Sequence, residues 1–101
     1  MNIIEKRVED KVILEIEGRI DTNSSVQLQA KILQAFQKGR HLELDFTKAV
    51  YITSAGLRAL LIGQKTANSK GGTMKLLHVC PMIKNVFELS GFCKILNVVE
   101  E

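Results

Sequence analysis

Across residues 42–61 the spacing of apolar side chains changes from every second position to every third or fourth, and that change directs the chain to an α/β fold. Leu42, Leu44 and Phe46 alternate with Glu43 and Asp45, the pattern of a strand with one face buried more deeply than the other. After Tyr51 and Ile52 come Thr53, Ser54, Ala55 and Gly56, and then Leu57, Leu60 and Leu61 recur at helical spacing. Ser54 therefore stands at a helix N-terminus, where the first backbone N–H groups lack intrahelical partners and the macrodipole favours negative charge. A hydroxyl here has two readings. Thr53 or Ser54 is simply the N-cap, or Ser54 is a position at which an added phosphate would be well received.

The remaining sequence extends the alternation. Residues 3–8 and 11–17 read as two strands around a tight turn at Glu9 and Asp10, with Val12, Leu14 and Ile16 alternating in the second. Gly18 is expected to break that strand, and residues 21–25 offer several caps for a helix running to about Lys38. Leu28, Ile32, Ala35 and Phe36 form its apolar stripe, Gln27, Lys31, Gln34 and Lys38 its polar side, and Gly39 ends it. After the serine helix, residues 68–73 are polar and glycine-rich, so they read as a connection to a strand over 74–79. Pro81 suits the first turn of a third helix carrying Ile83, Val86 and Phe87, and Gly91 suits its C-terminal cap. A last strand is expected over 94–99. The order β-β-α-β-α-β-α-β points to one domain over residues 1–101, with a mixed β-sheet and crossover helices.

Composition narrows the function. At 101 residues and 46% hydrophobic content the chain can bury one core, and a charged fraction of 25% is ordinary for a folded domain. No apolar run approaches the roughly 20 residues of a membrane span, and residues 1–10 mix charges without a signal peptide's apolar stretch, so a cytoplasmic protein is expected, away from membranes. The net charge of +3 comes from bases scattered over different elements, with one Tyr and no Trp to stack on bases, which argues against nucleic-acid binding. Cys80 and Cys93 are too few for a structural zinc site and lack Cys-x-x-Cys spacing, so reduced, mostly buried thiols are expected. His41 and His78 are isolated in sequence, so neither a metal nor a cofactor is expected.

Three separated segments together resemble bacterial anti-sigma factor antagonists of the STAS domain family: GRIDTNSS at 18–25, LDFTKAVYITSAGLRAL at 44–60 and CPMIKNVFELSGFCKIL at 80–96. The resemblance implies a STAS-like sheet and a protein-protein switch. It matches Ser54 to the serine that is phosphorylated by a partner acting as both anti-sigma factor and serine kinase, of the histidine-kinase-like ATPase fold. In the family the unphosphorylated form captures that partner and frees the sigma factor, phosphorylation reverses this, and a phosphatase acting on phospho-Ser54 would reset it. Asp21 matches a residue near the phosphoacceptor, and the implied docking surface comprises Asp21, Thr22, Thr53, Ser54, Ala55 and Gly56. A monomer or weak dimer is expected.

Two positions depart from the family pattern. Thr53 stands where an aspartate usually precedes the phosphoacceptor, which removes a like charge from a future phosphate and offers a second hydroxyl. Arg58, where glycine is common, lies one helical turn after Ser54 and within reach of a phosphate there; its other reading is a solvated helix residue. Ile62 shares a face with Arg58 and Lys65, and either touches the partner or packs under a neighbouring element.

An enzymatic reading fits poorly. Residues 52–56 resemble a nucleophile elbow, but isoleucine replaces the first glycine of Gly-x-Ser-x-Gly, and neither a phosphate-cradling loop nor a kinase signature is present. The rival class is a STAS domain used without phosphorylation, as a scaffold or accessory subunit of a larger regulatory or transport assembly. A nucleotide-sensing module is a further alternative with family precedent alone.

Overall fold

The computed structural model describes residues 1–99. Its elements are β1 (Asn2–Val8), β2 (Lys11–Ile20), α1 (Thr22–Lys38), β3 (His41–Ile52), α2 (Ser54–Lys70), β4 (Thr73–Leu77), α3 (Pro81–Ser90), a 3-10 turn (Phe92–Lys94) and β5 (Asn97–Val98). The β1–β2 hairpin is antiparallel and turns at Glu9 and Asp10, with Glu9 in the left-handed region at φ 57. From β2 onward every pairing is parallel, and the strand order across the sheet is β1-β2-β3-β4-β5.

Each crossover steps to the next strand in the same direction, so right-handed connections put all three helices on one face of the sheet. Burial follows from that placement. Val12, Leu14, Ile16, Leu42, Leu44, Phe46, Met74 and Leu76 are buried under the helices, whereas the alternate residues Ile13, Glu15, Glu43, Asp45 and Leu77 are only half-buried on the open face. Leu28, Ile32, Ala35 and Phe36 of α1, Leu57 and Leu60 of α2, and Ile83 and Phe87 of α3 complete the same core.

Four boundaries differ from the sequence reading. β2 continues through Gly18 to Ile20, because the glycine takes φ 99 beside a register shift and pairing with β3 resumes beyond it. α2 extends to Lys70, so 68–70 are helical rather than part of the connection; Gln64 donates to Asn68 at 3.1 Å across one turn, and the helix ends only at Gly71, with φ 68. β4 ends at Leu77, since His78 turns the chain with φ 57. β5 is two residues long instead of spanning 94–99. Lys94 belongs to the 3-10 turn, in which Phe92 C=O accepts from the N–H groups of Ile95 at 3.0 Å and Leu96 at 2.8 Å.

Candidate functional site

β2 and β3 are parallel neighbours that finish level, with Ile20 paired to Ile52. Each strand then passes through one residue into a helix, Asp21 before α1 and Thr53 before α2. The N-termini of α1 and α2 consequently stand side by side at the carboxyl edge of the sheet, the place where open α/β sheets present their loops to ligands. A bond from the Thr53 N–H to the Ile20 carbonyl, 2.9 Å, joins the two exits.

Asp21 caps α1 through a complete capping box. Its Oδ1 accepts from the Ser24 N–H at 2.9 Å, while Ser24 Oγ accepts from the Asp21 N–H at 2.8 Å. The bonds from the Ser24 backbone and hydroxyl hold the Asp21 carboxyl below its ordinary range, and the charge of Arg19 adds a smaller pull in the same direction. Thr22 begins α1 exposed to solvent, and its carbonyl accepts from the buried Ser25 hydroxyl at 2.8 Å.

At the second exit the two hydroxyls separate. Thr53 has extended backbone angles, its Oγ1 accepts from the Gly56 N–H at 3.4 Å, and the same hydroxyl donates to the Ile20 carbonyl at 3.3 Å. Thr53 is thus the N-cap. Ser54 is the first helical residue, exposed, with no hydrogen-bond partner for its hydroxyl among the described residues. The polar groups of this short segment divide between holding the helix and facing solvent.

Gly56 explains why the helix can start so close to the sheet. It is buried, and a Cβ there would sit 2.7 Å from both Ile20 Cγ2 and Ile52 Cγ1, so a side chain would lift α2 from the strand ends. Ala55 is half-buried beside it. Further along, Arg58 is exposed without an ion pair among the described residues, Ile62 is 37% exposed, and Lys65 is exposed. Ser54, Arg58, Ile62 and Lys65 therefore form an outward stripe, opposite Leu57, Leu60, Gly63 and Ala67, which are buried. Ile62 does not lie beneath a neighbouring element.

Two residues at this edge were not singled out in the sequence. Arg19 and Tyr51 are paired across β2 and β3, and the Arg19 guanidinium stacks over the Tyr51 ring at 4.3 Å from its centroid. Each stands two positions ahead of a cap residue, and that symmetry is the only local signal. Their meeting depends on register shifts in the intervening strands, which no local pattern reveals.

Other candidates lie apart. His41 opens β3 at the edge opposite Ser54 and contacts Thr73 Oγ1 through Nδ1 at 2.9 Å, so it cannot serve Ser54 as a base. The expectation of buried thiols fails, since Cys80 is half-buried and Cys93 exposed in the 3-10 turn. Among the described residues no three His, Cys, Asp or Glu side chains are grouped to hold a metal ion. No helix is long and apolar enough to cross a membrane.

The chain is similar in sequence and fold to known proteins. A Bordetella bronchiseptica protein, BtrV, provisionally named an anti-sigma factor antagonist, is 31% identical over 99 residues, covering 97% of this chain and 85% of its own length. A Thermotoga maritima protein provisionally described in the same terms shares the fold at TM-score 0.89 and 20% identity, over 98% of this chain and 86% of the other. The anti-sigma factor antagonist SpoIIAA is known in an unphosphorylated form, matching at TM-score 0.77 and 20% identity over 99% of this chain and 89% of its own. Its phosphorylated form matches at TM-score 0.76 and 22% identity, over 99% and 93%. The family model described as the STAS domain spans residues 2–101, and with the mixed sheet and the paired helix N-termini this places the chain in the STAS domain family.

Proposed function

We propose that this STAS domain is an anti-sigma factor antagonist switched by phosphorylation of Ser54. The observation that carries the reading is the division of roles at the start of α2: Thr53 caps the helix, leaving the Ser54 hydroxyl exposed and unengaged among the described residues. The names of BtrV and SpoIIAA, and the existence of a phosphorylated SpoIIAA, support it. The unphosphorylated chain captures an anti-sigma factor that is also a serine kinase and so releases the sigma factor in the cytoplasm. The surface comprises Asp21, Thr22, Thr53, Ser54, Ala55, Gly56, Arg58 and Ile62. Thr53 is the weaker acceptor, because its hydroxyl already holds two bonds.

Phosphoryl transfer adds about −1.5 to −2 charge at neutral pH. At the first position of a helix this charge faces unpaired N–H groups and the positive end of the dipole, and Arg58 one turn along adds a cation, so the fold tolerates it. The partner does not: a phosphate within the contact changes its sign and bulk, on the order of a hundredfold in affinity. The chain supplies the acceptor hydroxyl, the kinase supplies the phosphoryl donor and base, and a phosphatase restores the starting state. The chain itself is not an enzyme.

Affinity capture from source-cell lysate with wild-type and Ser54→Asp baits tests the reading, with circular dichroism to show that both are folded. A kinase-like anti-sigma factor retained by wild type and lost by the variant is the expected result. Identical partners on both baits, with no such kinase, would instead identify an unphosphorylated scaffold or accessory subunit, the role that Thr53 in place of aspartate would favour.

A further inference from the structure

We propose that the stacked pair Arg19 and Tyr51 is a specificity contact at the edge of the docking surface, built to receive a carboxylate of the anti-sigma factor. The inference rests on the partner-capture reading above and adds the chemistry of what is captured.

Ile20 and Ile52 point into the core, so the preceding pair, Arg19 and Tyr51, projects from the opposite, helix-free face at the same carboxyl edge. Both are exposed. The Arg19 carbonyl accepts from Ser24 Oγ at 2.9 Å, which ties its backbone to the Asp21 capping box. The Tyr51 ring, 4.3 Å from the guanidinium carbon, gives the Arg19 head group a fixed neighbour, and a guanidinium carries its N–H donors in its own plane. None of those donors has a hydrogen-bond or ion-pair partner among the described residues. A planar, preorganised fork of free donors is the complement of a carboxylate, and ordering it in advance lowers the entropy lost on binding.

Charge distribution points the same way. The ion pairs Lys6–Glu15, Lys11–Glu43, Lys38–Glu5 and Arg40–Asp10 involve neither Arg19 nor Arg58. Asp21, a carboxylate at this edge, is held mainly by Ser24, and the Arg19 charge attracts it only weakly and without an ion pair. The edge thus presents two unpaired arginines to a partner, and an exposed aromatic with an arginine is the composition typical of interface anchors.

The test is titration of the unphosphorylated protein against the purified anti-sigma kinase over a series of salt concentrations, with Arg19→Glu, Arg19→Lys, Tyr51→Ala and Tyr51→Phe. We expect Arg19→Glu to bind at least tenfold more weakly and with a shallower salt dependence, and Tyr51→Ala to weaken binding while Tyr51→Phe retains it. Arg19→Lys should fall between wild type and Arg19→Glu, and a carboxylate-to-lysine change on the partner should restore binding of Arg19→Glu. Wild-type affinity in Arg19→Glu, with Ser54→Asp still abolishing binding, overturns this inference and leaves the Ser54 switch standing. A defect confined to the phosphorylated protein also overturns it, by assigning Arg19 to the phosphate on its own chain. Failure of wild type to bind any anti-sigma kinase overturns the switch and this contact together.

Discussion

The two edges of the parallel sheet are built from similar residues and use them differently. At the amino edge Asp10 accepts from the Arg40 N–H at 3.1 Å and Arg40 Nε at 3.3 Å, its carbonyl accepts from His41 at 3.2 Å, and the Arg40 carbonyl accepts from Thr73 at 3.0 Å. A Cβ on Gly39 would lie 2.7 Å from the Asp10 carbonyl oxygen, and one on Gly72 would lie 1.9 Å from that of Arg40. Backbone presses on backbone there, and the polar groups face one another. At the carboxyl edge Asp21 and Thr53 do the holding, while Ser54, Arg58 and the N–H donors of Arg19 have no partner among the described residues. The difference shows how a small sheet protein can divide its polar groups: those at one edge close the fold, and several at the other stay open to solvent.

The contrast between the two edges is largest at the glycines. Gly72→Ala should destabilise the protein by about 3 kcal/mol, because its Cβ would meet a carbonyl oxygen that cannot move without the β3 entry. Gly56→Ala should cost about 1–2 kcal/mol, since the obstructing atoms, Ile20 Cγ2 and Ile52 Cγ1, belong to side chains rather than to backbone. Denaturant unfolding of both variants measures the difference, and equal losses would mean that the two edges are packed alike.

A smaller effect separates the hydroxyls within the carboxyl edge. Thr53→Val keeps the shape but removes the bond from the Gly56 N–H and the one to Ile20, and should lower stability by about 1 kcal/mol. Ser54→Ala should fall within about 0.5 kcal/mol of wild type. A reversed order in thermal melts would reassign the cap to Ser54.

Smallest of all is the pH response. Bonds from the Arg40 N–H and guanidinium hold the Asp10 carboxyl below its ordinary range, and bonds from Ser24 do the same for Asp21. A carboxyl with a depressed folded pKa stabilises the fold above its unfolded value of about 3.9 and loses that contribution as pH falls through the folded value. Stability should therefore decline on acidification below about pH 4, and less steeply in Asp10→Asn and Asp21→Asn. High salt should shrink the Asp10 contribution, part of which is an ion pair with Arg40, and leave that of Asp21, whose main partner is an uncharged serine. Equal salt sensitivity in the two variants would remove the distinction.

Much of the fold was legible because local periodicity reports burial directly. The stripe Leu28, Ile32, Ala35 and Phe36 is buried as read, and Pro81 and Gly91 bound α3. The errors arose where pairing overrides local preference. Gly18 looked like a strand end, yet the sheet resumes beyond it; residues 94–99 looked like a strand, yet the 3-10 turn takes their first part.

The amino-acid sequence by itself determined the order of elements and put Ser54 at a helix N-terminus, because both follow from spacing along the chain. Only the tertiary structure decided which hydroxyl caps that helix, since the Thr53 side chain is oriented by a carbonyl at Ile20, 33 residues earlier. The register of β2 against β3, long-range and interrupted by shifts, likewise set Asp21 beside Thr53 and stacked Arg19 on Tyr51. Periodicity along one strand carries no information about the neighbour it pairs with, so these meetings exist only once the sheet has formed.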